Sequence, residues 1–416
     1  MGSPRTRSPL FPIFLIVLVD VFGLTLVLPL MAPYAERFGA TPLEATLLVS
    51  VYAACQLVAG PLLGRISDRT GRKPMLLVSQ VGTLLGFVLM ANAWSLWVIF
   101  AARAIDGLTA GNLSLAQAYI SDKTAPEDRS KSFALIGIAF GVGFFFGPFV
   151  SGYLAKHVGY TAPIWLAACM SAASILCTAS LLPGGPPTSH EGAVSGPAGE
   201  RLSLFELGIY VRYFKRPALA QRLVQFFCFC ILFTTFTSGF ALFAERTYRW
   251  RGVRFGPGEV GDVFAYAGFL GILLQGGLIG RLVKRFGDPK LVTAGFVSVV
   301  IGFGLLGVSH GIPLLLVATT FSSFGTGVLR PVLTSLITKA ADRTEQGVVL
   351  GLTQSLNSTA AIVAPVLGGF LIGQGWLSAW AEVAAGAGLA GFLIGLAKPR
   401  AESVAAEAPP ESPVRT

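Results

Sequence analysis

Twelve stretches of apolar residues, each about 20 residues long, succeed one another near positions 11–32, 43–63, 74–92, 95–120, 133–155, 161–182, 218–243, 260–280, 291–309, 313–337, 348–372 and 377–397. A helix of that length rises about 30 Å at 1.5 Å per residue, the thickness of a bilayer's hydrocarbon core. Hydrocarbon offers no partner to a peptide N–H or C=O, so each run is expected to satisfy its own backbone as a helix. Composition agrees, because 53% hydrophobic and 12% charged residues over 416 positions leave too little polar surface to coat a soluble fold. The fold class is therefore an all-α membrane protein with twelve transmembrane helices.

A net charge of +10 would suggest nucleic acid in a soluble protein, but its distribution here is topological. With both ends on the inner side, the inner segments hold 22 of the 31 Lys and Arg, the outer loops hold 6, and Arg103, Arg222 and Arg330 fall within runs. That asymmetry obeys the positive-inside rule and predicts both termini in the cytoplasm. The expected partners are the lipid bilayer, a small-molecule substrate and protons, with no nucleic acid. The expected location is the cell inner (plasma) membrane, and the expected state a monomer.

The chain is also written twice. Between the second and third runs it reads Gly-Arg-Ile-Ser-Asp-Arg-Thr-Gly-Arg-Lys from Gly64 to Lys73, and between the eighth and ninth Gly-Arg-Leu-Val-Lys-Arg-Phe-Gly-Asp-Pro-Lys from Gly280. Gly64, Arg65, Arg69 and Gly71 recur 216 residues later as Gly280, Arg281, Arg285 and Gly287. Pro148 returns as Pro365, an offset of 217. Doubling of an apolar chain is the mark of a secondary transporter, with its site between the halves. The expected units are two pseudo-symmetric six-helix bundles, 1–183 and 217–400, a cytoplasmic linker with an amphipathic helix over 184–216, and a disordered tail, 401–416.

Charged side chains inside a bilayer cost several kcal/mol unless paired, wetted or protonated. Asp20 lies in the first run, and Arg103 and Asp106 lie one helical turn apart in the fourth. Two readings stay open: Arg103 and Asp106 neutralise each other with no further role, or Arg103 also reaches Asp20, making a network that responds to a proton. The fifth run carries Gly143, Gly147, Pro148 and Gly152, which suit close helix contact and bending. Gln225 and Phe229 on the seventh run, Arg330 on the tenth, and Gln354 and Asn357 on the eleventh are candidates for a substrate cavity, with packing or snorkelling as the alternative for each. Cys55, Cys169, Cys177, Cys228 and Cys230 all fall in runs with no metal or disulfide spacing. No cofactor is expected. His157, His190 and His310 lie outside the runs' cores without a legible nucleophile, so an enzyme is not expected.

The loop Gly64 to Lys73 resembles the signature between the second and third helices of the major facilitator superfamily. Arg103 with Gly107 and Gly111 resembles that family's fourth-helix arginine motif, and Gly143 to Gly152 the Gly-Pro motif of its antiporters. Asp20-Val21-Phe22-Gly23, followed by Pro29, is similar to the first helix of the twelve-helix drug:proton antiporters, tetracycline-efflux-like branch. The resemblance covers residues from about 10 to 397 and implies a proton-coupled exporter of small amphiphilic or drug-like molecules. It implies that Asp20, Arg103 and Asp106 couple protons, and that Gly64, Asp68, Arg69, Gly71, Arg72 and Lys73 form a cytoplasmic gate in which Asp68 pairs across the halves. Three departures stand out: Ser151 replaces a glycine, the second loop carries Lys284 and Asp288 where the first pattern has Asp and Arg, and Asp106 is charged where the family is not. A metabolite uniporter or symporter, or a non-transporting receptor or scaffold of the same fold, are the alternative functions.

Overall fold

The computed structural model describes residues 10–123, 129–182, 213–341 and 345–397. Eleven helices among them are long and apolar enough to cross a membrane. The first span is Leu10–Val27, continued through a tight turn at Leu28–Leu30 into Met31–Glu36, and Pro29 and Pro33 sit where the helix is reset. The second is Pro42–Thr70, the third Arg72–Ala91, the fifth Arg129–His157 and the sixth Thr161–Leu181. The seventh is Pro217–Thr247, and the eighth is Pro257–Leu273, joined through a π turn, Leu274–Leu278, to Ile279–Phe286. Asp288–Gly307, Ile312–Lys339, Gln346–Gly373 and Leu377–Leu396 complete the set as the ninth to twelfth.

The fourth run departs from a single helix and folds as two, Leu96–Leu108 and Asn112–Lys123. Gly107, Thr109, Gly111 and Asn112 are weak helix formers, and the third span compensates for the break. Ser79 on that span donates its hydroxyl to the Thr109 carbonyl and accepts the Gly111 N–H at 2.9 Å. Gly82 makes room, since a Cβ there would stand 2.1 Å from Thr109 Oγ1. The fold is all-helical as expected, with one short hairpin in a loop: β1 (Arg249–Trp250) and β2 (Val253–Arg254) pair antiparallel. Its turn residues Arg251 and Gly252 both have positive φ, 50° and 82°, matching a two-residue hairpin turn.

Helix packing repeats with a period of six spans. The first span packs on the fifth and sixth as the seventh does on the eleventh and twelfth, and the third packs on the sixth as the ninth does on the twelfth. The two loop glycines share a backbone conformation that glycine adopts without strain: Gly71 has φ 97° and ψ 155°, Gly287 φ 78° and ψ 156°. Between the halves, the second span meets the eleventh and the fifth meets the eighth. Residues 183–212 and 398–416, which hold most of the expected linker helix and the whole tail, lie outside the described residues.

The outward faces carry apolar side chains where a soluble protein would carry charge, as with Val58, Leu62 and Ile66 along one side of the second span. Trp94, Trp97, Trp165, Trp250 and Trp376 are exposed, all toward the end opposite the Gly64–Lys73 loop, where amphipathic rings suit a membrane interface. Ser79→Ala removes the two hydrogen bonds that stitch the fourth span and leaves the Gly111 N–H only its local bond to the Thr109 carbonyl. The expected loss is about 1–3 kcal/mol, read as a lowered melting temperature of the purified protein.

Candidate functional site

Two places concentrate polar chemistry in this apolar frame: a charged cluster inside the first half, and the seam between the halves. In the cluster, Arg103 and Asp106 are both buried and pair through Nη1 and Oδ2 at 2.8 Å. The i, i+3 spacing places both groups on one helix face, and neither charge could stay buried alone at small cost. Thr83 on the third span also reaches the Asp106 carboxylate. Above the pair, the Tyr52 ring lies 4.3 Å from the Arg103 guanidinium carbon and covers its flat face.

Asp20 is a neighbour of this pair and not a member of it. Its carboxylate lies against Ser174 of the sixth span and Asn112 of the fourth, within electrostatic reach of Asp106. Gln80 holds Ser174 in place through a 2.8 Å hydrogen bond. Asp20 Oδ1 is buried and accepts no hydrogen bond among the described residues. A void of about 10 Å³ beside it, bounded by Thr83 and Ser171 among others, is the size of one water. Of the two arrangements the sequence left open, the one present is the Arg103–Asp106 pair, with Asp20 near Asp106 and no Arg103–Asp20 ion pair among the described residues. Thr83, Ser174 and Gln80 carried no legible signal in the sequence, since a hydroxyl or amide in an apolar run most often serves packing.

At the signature loop, Asp68 and Arg72 form an i, i+4 ion pair at 2.8 Å. Arg72 also donates to Ser67 Oγ at 2.6 Å, and Ser67 donates to the Gly64 carbonyl at 2.7 Å. Gly71 turns the chain out of one helix and into the next, and Arg69 sits in the last turn of the second span, where the helix dipole favours a cation. Lys73 does more than hold topology. Its ammonium donates to the carbonyls of Ala179 and Leu182 at 2.8 and 2.7 Å, capping the end of the sixth span. Gly64 serves no close approach here, because nothing would meet a Cβ on it within 4 Å. The second loop takes a different partner: Asp288 pairs with Lys339 at the end of the tenth span, 2.5 Å away.

The fifth-span glycines face two ways. Gly143 and Gly147 lie against the first span, where Thr25 donates to the Gly143 carbonyl at 2.9 Å and would stand 2.1 Å from a Cβ at Gly147. Gly152, about half a turn round the helix, meets the eighth span, where a Cβ would come within 2.6 Å of the Pro257 carbonyl. Pro148 sits between the two sets, its carbonyl 2.7 Å from where a Gly261 Cβ would be. Ser151, the departure from the family motif, donates to the Leu26 carbonyl at 2.5 Å and ties the fifth span to the first.

The seam is closed at one end. Away from the signature loop it is held by Glu36 to Arg246 at 2.5 Å, Lys156 to Glu259 at 2.7 Å, and Ser50 to the Ile362 carbonyl at 2.8 Å. Gly369 lies so close to the second span that a Cβ would be 2.8 Å from the Pro42 carbonyl. Toward the signature loop, Gly60, Gly64, Gly141, Gly276, Gly277 and Gly280 face open space.

Of the expected cavity residues, Arg330 is exposed in mid-span and reaches Phe140 in the opposite half, 5.5 Å from the ring centroid. Gln354 and Asn357 share a helix face opposite that of Val363, Val366 and Phe370, the exposed apolar side of the eleventh span. Gln225 and Phe229 are corrected. Gln225 is buried against the twelfth span, accepting from Arg222 at 2.7 Å and donating to the Gly391 carbonyl at 3.0 Å, so its amide is used up in packing. Phe229 is buried between Phe226 and Phe233. Gly152→Val is expected to wedge the fifth and eighth spans apart. Overpacking of this kind costs about 1–3 kcal/mol, read as a melting temperature of the purified variant below that of wild type.

The model of the Major Facilitator Superfamily matches residues 13–276 and again 253–415. The chain is 29% identical over 369 residues to a tetracycline resistance protein, class E, of Escherichia coli, covering 86% of each chain. It is 28% identical to the class D tetracycline resistance protein of Salmonella ordonez, over 94% of this chain and 96% of that one. Among solved structures, the human organic anion transporter MFSD10 superposes with a TM-score of 0.70 at 22% identity, over 94% of this chain and all of that one. A peptide transporter, POT, gives a TM-score of 0.76 at 16% identity, over 95% and 94%. The chain is thus a multi-pass membrane protein that belongs to the Major Facilitator Superfamily, a transporter related to tetracycline resistance proteins and not an enzyme.

Proposed function

We propose that the protein is a proton-coupled antiporter that exports small amphiphilic or drug-like molecules by alternating access. The observation that carries this reading is Asp20, a mid-span carboxylate with one oxygen buried and without a hydrogen-bond partner among the described residues. A carboxylate at that depth is costly unless it is paired, wetted or protonated. Protonation at Asp20 changes the field felt by Asp106, and through it the hold on Arg103 beneath Tyr52. In this reading the two bundles, 1–183 and 217–400, rock about the seam. With the basic end in the cytoplasm of the cell inner (plasma) membrane, as the charge asymmetry supports, the open end of the seam faces the cytoplasm. The two ion pairs at the opposite end then form the outer gate, and they must part before cargo leaves.

A proton moving inward across about 100 mV supplies roughly 2.3 kcal/mol, before any pH gradient. The related tetracycline resistance proteins make a drug-like cargo the natural first choice. One observation favours a second reading: Arg103 and Asp106 are already neutralised by each other, as in a metabolite uniporter whose charges are structural.

The two readings separate in proteoliposomes with an imposed pH gradient. Asp20→Asn is expected to abolish gradient-driven accumulation of tetracycline while leaving substrate exchange in place, and a protonophore is expected to collapse wild-type accumulation. Full uphill transport by Asp20→Asn, or indifference to the protonophore, removes the antiport reading and leaves the uniporter.

A further inference from the structure

Arg330 stands apart from the other described cations in the cores of the spans, Arg103 and Arg222. Arg103 is matched by Asp106, Arg246 by Glu36, Lys156 by Glu259, and Arg216 by Glu345. Arg222, nearer the start of the seventh span, is held by the Gln225 amide. Arg330 stands in mid-span with no carboxylate in ion-pair range and no side-chain hydrogen bond among the described residues. It is exposed, and it reaches from the tenth span to Phe140 on the fifth, in the space between the halves.

The surroundings of the guanidinium are aromatic. Phe140 stacks on Phe144 with centroids 6.3 Å apart, Phe144 meets Phe233 across the seam at 6.2 Å, and Phe233 stacks on Phe229 at 5.7 Å. The rings form a continuous apolar wall from one half to the other. Phe140 supplies a ring face to the cation but no hydrogen-bond acceptor, so the guanidinium's N–H donors remain for a carboxylate, which a guanidinium receives by two parallel hydrogen bonds. In the open space between the halves water solvates this cation, and an anionic cargo takes the place of that water.

We propose that Arg330 and the Phe140, Phe144 and Phe233 wall form a recognition point for aromatic organic anions, with the carboxylate on the guanidinium and the ring on the phenylalanines. The proposal rests on the transport reading for its location and adds the class of cargo. It does not depend on proton coupling: the site selects by charge in either reading of the mechanism.

The test is equilibrium binding to the purified full chain by calorimetry, with no gradient present. The probes are 1-naphthaleneacetate and its uncharged isostere 1-naphthaleneacetamide. Wild type is expected to bind the acetate about tenfold more tightly than the amide, a difference of ~1.4 kcal/mol. Arg330→Gln is expected to bring the two within about twofold, and Arg330→Lys to keep part of the preference as a point charge without the fork. Phe140→Ala is expected to weaken both probes alike. Melting temperatures of the variants establish that each is folded. Equal binding of the two probes by wild type, no acetate binding at millimolar concentration, or an undiminished preference in folded Arg330→Gln each overturns the proposal. Asp20→Asn, run alongside, is expected to retain the acetate preference, so a failure of coupling is read separately from a failure of recognition.

Discussion

The absence of water in a bilayer core governs this structure. A polar group placed there is satisfied by the chain itself, by a cavity, or by cargo. Most of the buried polar side chains follow the first course: Thr25, Ser151 and Ser79 donate to backbone carbonyls of neighbouring spans. Arg103 and Asp106 neutralise one another. Two charged groups follow neither course among the described residues: Asp20 inside the first half, with one buried oxygen unpartnered, and Arg330, exposed between the halves without an ion pair.

The same constraint explains why glycine is concentrated at the contacts between spans. Lipid chains are as apolar as leucine, so burying apolar surface does not draw two membrane helices together, and close packing must do it. On the fifth span, Gly143 and Gly147 admit the first span, and Gly152 admits the eighth. One helix therefore packs closely both within its own half and against the other. At Gly152 and Gly261 the fifth and eighth spans meet backbone against backbone.

Much of this was legible in the sequence because it depends on quantities that add along the chain. Run length and the repeat at offset 216 require no knowledge of helix rotation, and both appear in the fold as a six-span periodicity of packing. The pairing of Arg103 with Asp106 was legible from spacing alone. Rotation and inter-helix distance were not. Gln225 and Phe229 looked like a cavity face because an amide and aromatic rings recur at helical spacing, yet nothing in that spacing says whether the stripe faces the seam or the twelfth span. The break in the fourth span was hidden by hydropathy, which averages across Thr109 to Gly111, and its repair comes from Ser79, 30 residues earlier. Tyr52, Thr83 and Ser174 were missed for the same reason, because each acts on a residue in another span.

The attachment of Lys73 to the end of the sixth span carries a mechanical consequence. A surface turn tethered only by its own two helices can flap without disturbing anything else. This one is bolted at a third point, through two short hydrogen bonds to Ala179 and Leu182. It behaves as a handle and not as a hinge: a force applied to the turn is delivered to the sixth span, and through its packing to the first and third, so that all three shift as one piece.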